Sequence, residues 1–326
     1  MKFYFAPMEG ITGYVYRKAF NEFFGPLDRY YIPFIAPTQN KKFASKALKD
    51  VAPDNNPNMV AIPQVLTNKS DQFIFTAQAL ADQGYDMVNL NLGCPSATVV
   101  SKKKGSGFLG DLDLLDQFMA DIFSKSPIKI SVKTRLGIED PQEFHALLDL
   151  FNKYPMEELI IHPRTQKDYY KNTPHLDMFQ MALDKAKMPL VYNGDIFTKK
   201  DFQAIHEAFP QVDAFMLGRG LLGNPNLVRD ILGQAALSKD QLKGFHDSLM
   251  AGYQEVMSGD RPVLYKMKEL WFYMIHLFDD PGKSLKKIRK SQKLSDYKTL
   301  IDLMFAQKNL TDNGPTFHDA IKGIRK

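Results

Sequence analysis

Residues Asp86–Ser96 read DMVNLNLGCPS. Met87, Val88, Leu90 and Leu92 make an apolar run of strand length, and Gly93, Cys94 and Pro95 force a turn where it stops. The turn carries the only cysteine of the chain, beside Asn89 and Asn91. A thiol at a strand end sits where many α/β enzymes keep their chemistry. The plain alternative is a cysteine packed as a small hydrophobe. The other strand ends decide between the two.

Working outward, seven more short apolar runs predict strands: Phe3–Ala6, Arg29–Ile35, Met59–Val65, Ile128–Lys133, Glu158–His162, Pro189–Asn193 and Asp213–Leu217. Between them, Asp71–Gly84, Leu112–Phe123, Pro141–Tyr154 and Lys199–Phe209 carry apolar residues at helical spacing. Thr198 supplies capping chemistry, and Asp140-Pro141 puts proline at a first helical position. Eight strand–helix units ending by Leu232 predict a (β/α)8 TIM barrel. A doubly wound open sheet fits less well. It calls for a glycine fingerprint after the first strand, where this chain has Pro7-Met8-Glu9-Gly10. Past Leu232 the alternation stops, and Lys243–Met257, Val263–Leu277 and Ser295–Phe305 predict helices. The expected organisation is a barrel domain, 1–237, followed by a helical domain, 238–326.

With 326 residues, 44% of them hydrophobic, the chain can bury a large core. A single cysteine excludes an intrachain disulfide and fits a reducing, cytoplasmic setting. MKFYFAPMEGITG is too short an apolar stretch for a signal peptide, and no window predicts a membrane span. The net charge is +5, and its placement is uneven: Ser238–Lys326 holds 16 Lys and Arg against 11 Asp and Glu, whereas Met1–Leu237 holds 26 of each. A basic module suggests a polyanion partner, and its plain alternative is a solvated helical face.

The predicted strand ends are unusually polar. In order they carry Pro7-Met8-Glu9, Gln64, Asn91 and Cys94, Lys133-Thr134-Arg135, His162-Pro163-Arg164, Asn193-Gly194-Asp195 and Gly218-Arg219-Gly220. In a barrel these ends build the active site, and a phosphate site commonly follows the last two strands. Glycine backbone there admits an anion, Arg219 adds charge-assisted bonds, and a helix is expected to start after Gly220 with its N-terminus toward the anion. Gly105-Ser106-Gly107 lacks the Lys-Ser/Thr of a P-loop, which argues against nucleotide hydrolysis. The seven histidines show no metal-ligand spacing, so no metal is expected. Lys133 would point into the barrel mouth, where a cation stabilises charge on a reduced flavin, with Gln64 and Asn91 as neutral partners.

APMEGIT (Ala6–Thr12), NLNLGCPS (Asn89–Ser96), SVKTRLG (Ser131–Gly137), HPRT (His162–Thr165), YNGDI (Tyr192–Ile196) and LGRGLLGNP (Leu217–Pro225) together resemble the tRNA-dihydrouridine synthases in order and spacing. The Met8-Glu9-Gly10 spelling and Asn224–Leu227 are similar to the C-like subgroup. The resemblance implies FMN as cofactor, NADPH as transient reductant and a uridine of the tRNA D-loop as substrate, reduced across C5–C6. It implies Cys94 as the acid that protonates C5 and Asn91 as a base-positioning residue. Lys133 and His162 would contact the flavin, with Pro7, Met8, Glu9, Gln64, Asn193, Gly194, Asp195, Gly218 and Arg219 lining its site. Arg135 and Arg164 would meet RNA or flavin phosphate. The basic run with Lys286, Lys287, Arg289 and Lys290 would grip tRNA, in a monomeric protein. The lysine- and tyrosine-rich stretch Gln166–Pro174 departs from the family pattern. Two readings compete: a small-molecule flavin barrel similar to dihydroorotate dehydrogenase, which needs no basic module, and a tRNA-binding protein without chemistry.

Overall fold

The computed structural model describes residues 1–38 and 43–311. The expected helical domain therefore ends, in its last stretch 312–326, outside the described residues. Eight parallel strands close into a barrel in sequential order: β1 Lys2–Phe5, β2 Arg29–Ile35, β3 Ala61–Val65, β4 Met87–Leu92, β5 Lys129–Thr134, β6 Leu159–Ile161, β7 Leu190–Tyr192 and β8 Ala214–Leu217. The (β/α)8 expectation holds, and the strands fall within their predicted runs to within a residue or two.

Every residue of β4 is buried, as expected for a strand covered on both sheet faces. Tyr4, Ala6, Tyr31, Ile62, Met87, Ile160, Val191, Ala214 and Met216 form one buried cluster, the packed filling that makes such a barrel a core and not a pore. A polar knot lies in the same region. Glu158 accepts hydrogen bonds from the hydroxyls of Tyr4 (3.2 Å) and Tyr31, and Arg29 Nη1 lies 2.8 Å from the same carboxylate. Arg29 also stacks on the Tyr4 ring. Burial, then the neighbouring Glu158 charge, pushes both phenols well above their usual range.

Helix starts follow local chemistry. Asp111 caps Leu112–Lys125 by accepting from Leu114 N–H at 3.2 Å. Asp140 and Glu143 form a capping box, so the expected Pro141–Tyr154 helix divides into a tight turn, Pro141–Glu143, and a helix, Phe144–Phe151. Tyr14–Phe24, Ser45–Val51 and Leu176–Lys185 are helices that the periodicity reading does not predict. The first is crowded with aromatic residues of weak helix propensity, so packing and not local preference sets it.

By contacts the chain divides into two compact units: Met1–Tyr14, Leu27–Gly194 and Phe209–Met216 in one, and Val15–Pro26, Asp195–Ala208 and Leu217–Lys326 in the other. This division does not follow a single cut at 237/238, because Val15–Pro26, Asp195–Ala208 and the stretch 217–237 also sort with the C-terminal helices. Within that second unit, Tyr16 and Phe24 pack edge-on against Phe245, and Gln241 Nε2 donates to the Phe23 carbonyl at 2.7 Å. A Cβ on Gly244 would lie 2.7 Å from the Phe23 ring, so the close approach requires glycine. Deeper in the helices Lys239–Val256, Asp260–Met274 and Leu294–Gln307, Tyr297 accepts from Trp271 Nε1 (2.6 Å) and meets His246 Nε2 (2.7 Å). His246 Nδ1 faces Asp247 at 2.8 Å. No helix among the described residues is long and apolar enough to cross a membrane.

Candidate active site

A ladder of amides climbs the inside of the barrel to the cysteine. Asn89 Nδ2 donates to Ser131 Oγ (2.8 Å), and Gln64 Nε2 donates to Asn89 Oδ1 (2.7 Å). Asn91 Nδ2 donates to Gln64 Oε1 (2.6 Å), and Asn91 Oδ1 accepts from the Gly93 and Cys94 N–H groups, both at 3.0 Å. The chain end fixes the direction: two backbone donors can meet only an oxygen, so every amide below is oriented in turn. Asn89, Asn91 and Gln64 stand on neighbouring strands, with Gln64 paired in register with Asn89. The two asparagines noted in NLNLGCPS thus have a mechanical task, which is to set the turn that presents Cys94.

The same turn is held from two other sides. Ser106 donates to the Cys94 carbonyl from its N–H (3.1 Å) and its hydroxyl (3.0 Å). Gly105, at φ +57°, lies so close that a Cβ would stand 2.7 Å from that carbonyl oxygen. Arg135 donates from Nε to Gly93 O (3.0 Å), from Nη1 to Thr165 O (2.7 Å) and from Nη2 to Tyr169 O (2.8 Å). It is 1% exposed and lies over the Tyr170 ring. Its guanidinium ties the loop after β4 to the loop after β6 and does not face solvent.

Arg164 behaves alike. Fully buried, it grips the Asn172 carbonyl through Nε (2.6 Å) and Nη2, and its Nη1 lies 3.0 Å from His162 Nε2. A guanidinium only donates, so His162 Nε2 accepts and its proton resides on Nδ1. Asp168 completes this loop by accepting from Thr165 N–H (2.7 Å) and Asn172 Nδ2 (2.5 Å) and meeting His175 Nε2 at 3.2 Å. Burial works against the Asp168 charge, but these hydrogen bonds outweigh it and hold the carboxyl below its usual range. The atypical Gln166–Pro174 stretch is therefore a self-bonded loop.

These elements surround a pocket of about 240 Å³ whose lining includes Pro7, Met8, Glu9, Gln64, Asn91, Cys94, Lys133, Arg135 and His162, all expected site residues. The aromatic residues Phe34 and Tyr170 also line it. Thr12 shapes the β1 loop by accepting from Met8 N–H at 2.8 Å, while Glu9 is exposed and paired with Lys46 at 3.0 Å. Burial, above all, pulls the Lys133 ammonium down to about 7, with the Arg135 charge adding to it. Burial pushes the Cys94 thiol up, against smaller opposing effects of the Ser96 N–H, Arg135 and Lys133. Among the described residues Lys133 has no carboxylate partner, and burial makes its charge easy to lose near neutral pH; an anionic ligand in the pocket would restore that charge. Lys133, the neutral amides and the two aromatic rings make a lining that suits a planar, electron-accepting heterocycle such as the flavin ring. No group of three His, Cys, Asp or Glu among the described residues is placed to hold a metal ion.

The remaining expected residues are not part of this pocket's lining. Asn193 Nδ2 donates to Met216 O (2.7 Å), joining β7 to β8, beside Gly194. In the second unit Arg219 pairs with Asp195 at 2.8 Å and lies over Phe197. The helix there begins at Arg219, capped by Gly218, and ends at Gly223, so it starts before Gly220 and not after it as expected. A Cβ on Gly220 would strike the Ile196 carbonyl, which explains that glycine by packing. Lys286, Lys287, Arg289 and Lys290 are exposed on the helix Pro281–Lys290, which is anchored by buried Ile288. Gly105 and Ser106, which the sequence offers only as an incomplete P-loop, and Thr12 and Ser131, to which it gives no role, also shape the site, because their partners are backbone and amide groups.

Comparison with known proteins agrees with this geometry. The sequence model of the family described as Dihydrouridine synthase (Dus) matches residues 4–311. A probable tRNA-dihydrouridine synthase of Staphylococcus epidermidis is 31% identical over 237 residues, covering 68% of this chain and 69% of that protein. The tRNA-dihydrouridine synthase B of Pasteurella multocida is 24% identical over 242 residues, covering 74% and 71%. Among solved structures, the old yellow enzyme from Trypanosoma cruzi aligns with a TM-score of 0.51 at 9% identity, over 79% of this chain and 94% of that one. Morphinone reductase aligns with a TM-score of 0.51 at 11% identity, over 75% and 88%. These last two are likenesses of fold.

Proposed function

Because this chain belongs to the dihydrouridine synthase family, we propose that it reduces the C5–C6 bond of a uridine in the D-loop of tRNA, with FMN as cofactor and NADPH as reductant. The names of its relatives support the substrate. The observation that carries the chemistry is the convergence of Cys94, Asn91, Gln64, Lys133 and His162 on one pocket at the barrel mouth.

When bound, FMN supplies the hydride that reaches C6. Cys94 supplies the proton to C5. Burial favours its S–H form, so at neutral pH it is an acid and not a thiolate nucleophile. Asn91, already oriented by Gln64 and holding the Cys94 turn, fixes where the thiol lies relative to the base. Lys133 gives the pocket its positive charge, the kind of electronic tuning a protein offers a flavin. His162 presents a tautomer set by Arg164. The uracil must leave its stack to enter such a pocket. Exposed Lys286, Lys287, Arg289 and Lys290 bind tRNA phosphates, a contact that gives affinity and register without reading sequence.

The test is a single turnover. The flavin-loaded protein is reduced anaerobically, freed of reductant and mixed with unmodified tRNA, beside Cys94→Ala. Rapid flavin reoxidation with dihydrouridine formed, and a loss of at least about 100-fold in the variant, is the expected result for removal of a general acid. A flavin-loaded protein indifferent to tRNA would refute the reading.

A further inference from the structure

Although Met1–Leu237 is neutral in sum, one part of it is locally basic. Lys102, Lys103 and Lys104 follow the short helix Ala97–Val100, directly after the Cys94 turn. Lys69, in the loop after β3, joins them: Lys104 is held below its usual range by burial first, then by the charges of Lys102 and Lys69. Lys69, Lys102 and Lys103 are exposed, and Lys104 is half-buried. Among the described residues none of the four ammonium groups is paired with a carboxylate. Four like charges with no counter-ion raise the local potential and repel one another, a cost that an incoming polyanion removes.

The backbone beneath them is held firmly. Asn68 Nδ2 donates to the carbonyls of both Lys102 and Lys103, each at 3.1 Å. Lys103 sits at φ +50°, an uncommon conformation for a side chain of its kind, and Gly105 at φ +57° continues the bend. Lys104 is then followed by the Gly105-Ser106 clamp on the Cys94 carbonyl. The basic edge and the proposed acid therefore share one short, internally bonded segment, on the rim to which β3 and β4 also deliver Gln64 and Asn91.

We infer that Lys69, Lys102, Lys103 and Lys104 form an RNA backbone site on the catalytic unit, which binds the phosphates next to the uridine that enters the pocket. This rests on the proposed reaction and adds a second phosphate contact, close to the chemistry. The helix Pro281–Lys290 would set overall affinity. The lysine rim would fix the strand on either side of the reacting base.

The test uses the full-length, flavin-loaded protein with Lys69, Lys102, Lys103 and Lys104 all changed to Gln, compared with the wild type. Flavin is reduced chemically and mixed with unmodified tRNA at several salt concentrations. The expected result is a tenfold or larger rise in the tRNA concentration giving half-maximal rate. The log–log salt slope should flatten by about 2 to 3, near the value for that many lost phosphate contacts. The flavin spectrum and its rate of reduction by NADPH should be unchanged. Wild-type turnover with an unaltered tRNA dependence and salt slope in the variant would overturn the site while leaving the reaction intact. So would a defect confined to NADPH, which would assign the patch to the nucleotide's phosphates, or a loss of flavin, which would assign it to folding. Inactivity of the wild type toward tRNA would instead refute the proposed reaction.

Discussion

Ser106 holds the carbonyl of Cys94 with two hydrogen bonds, its N–H at 3.1 Å and its hydroxyl at 3.0 Å. The clamp has room only because Gly105 lacks a Cβ. In Gly105→Ala the added methyl meets the carbonyl at 2.7 Å and the residue stays at φ +57°, a conformation costing about 1–2 kcal/mol for an L residue. Turnover in the single-turnover assay should fall at least about tenfold, since small displacements of reacting groups are costly. Ser106→Ala keeps the N–H bond and should lose about 1 kcal/mol. Equal activity of Gly105→Ala and wild type would dismiss the clamp.

Arg164 fixes the protonation of His162. In the wild type, nitrogen NMR of labelled histidine should place the His162 proton on Nδ1. Arg164→Met removes the donor to Nε2 and leaves the Asn172 carbonyl short of partners. The two tautomers should then mix, and the loop after β6 should become more sensitive to protease. Lysine at this position should not restore the pattern, because it lacks the planar fork.

Lys133 couples ligand binding to protons. With its pKa near 7, most of it is neutral at pH 8. An anionic ligand in the pocket raises that value, so FMN binding at pH 8 should take up as much as about one proton. Calorimetry in buffers of different ionisation enthalpy reads this directly. At pH 6 the part of the uptake that comes from Lys133 should nearly vanish, and in Lys133→Met the uptake at pH 8 should be lost.

The second unit should be acid-sensitive. Burial, stronger than the opposing help of Asp247, holds His246 below its reference value of 6.5. Below about pH 6.5 the unfolded chain therefore binds more protons than the folded one. The contribution of His246 is complete above that pH and is lost as pH falls toward the lower folded value. Asp247 is also depressed, from 3.8, and adds its loss only at still lower pH. Urea melts at pH 7.5 and 5.5 should differ, and His246→Gln should narrow the difference. Identical curves for the two proteins would exclude His246 as the cause.

The barrel was legible because strands buried on both faces read as short apolar runs, and because polar residues clustered where those runs stopped. The pocket was legible to the same degree, since Cys94, Lys133 and His162 are uncommon residues at strand ends. The orientation of charge was not. Arg135 and Arg164 read as anion-binding groups, and Arg135 does line the pocket, but both guanidiniums also donate to the carbonyls of Gly93, Thr165, Tyr169 and Asn172. A carbonyl belongs to every residue and leaves no mark in a sequence. Gly105-Ser106 was legible only as a failed P-loop, because its partner lies in the preceding turn. The lysine rim was hidden by the neutral total of the segment that holds it.

The packing of Tyr16 against Phe245 also bears on how the chain is made. The helix Tyr14–Phe24 is made about 230 residues before the ring it packs against. At typical elongation rates that interval is about 10 to 45 s. For that time the aromatic face of the helix waits uncovered, and the second unit cannot close until its last helices arrive. A nascent chain stalled before residue 245 should therefore expose that face to chaperones, while one in which the helix Leu294–Gln307 has fully emerged should not.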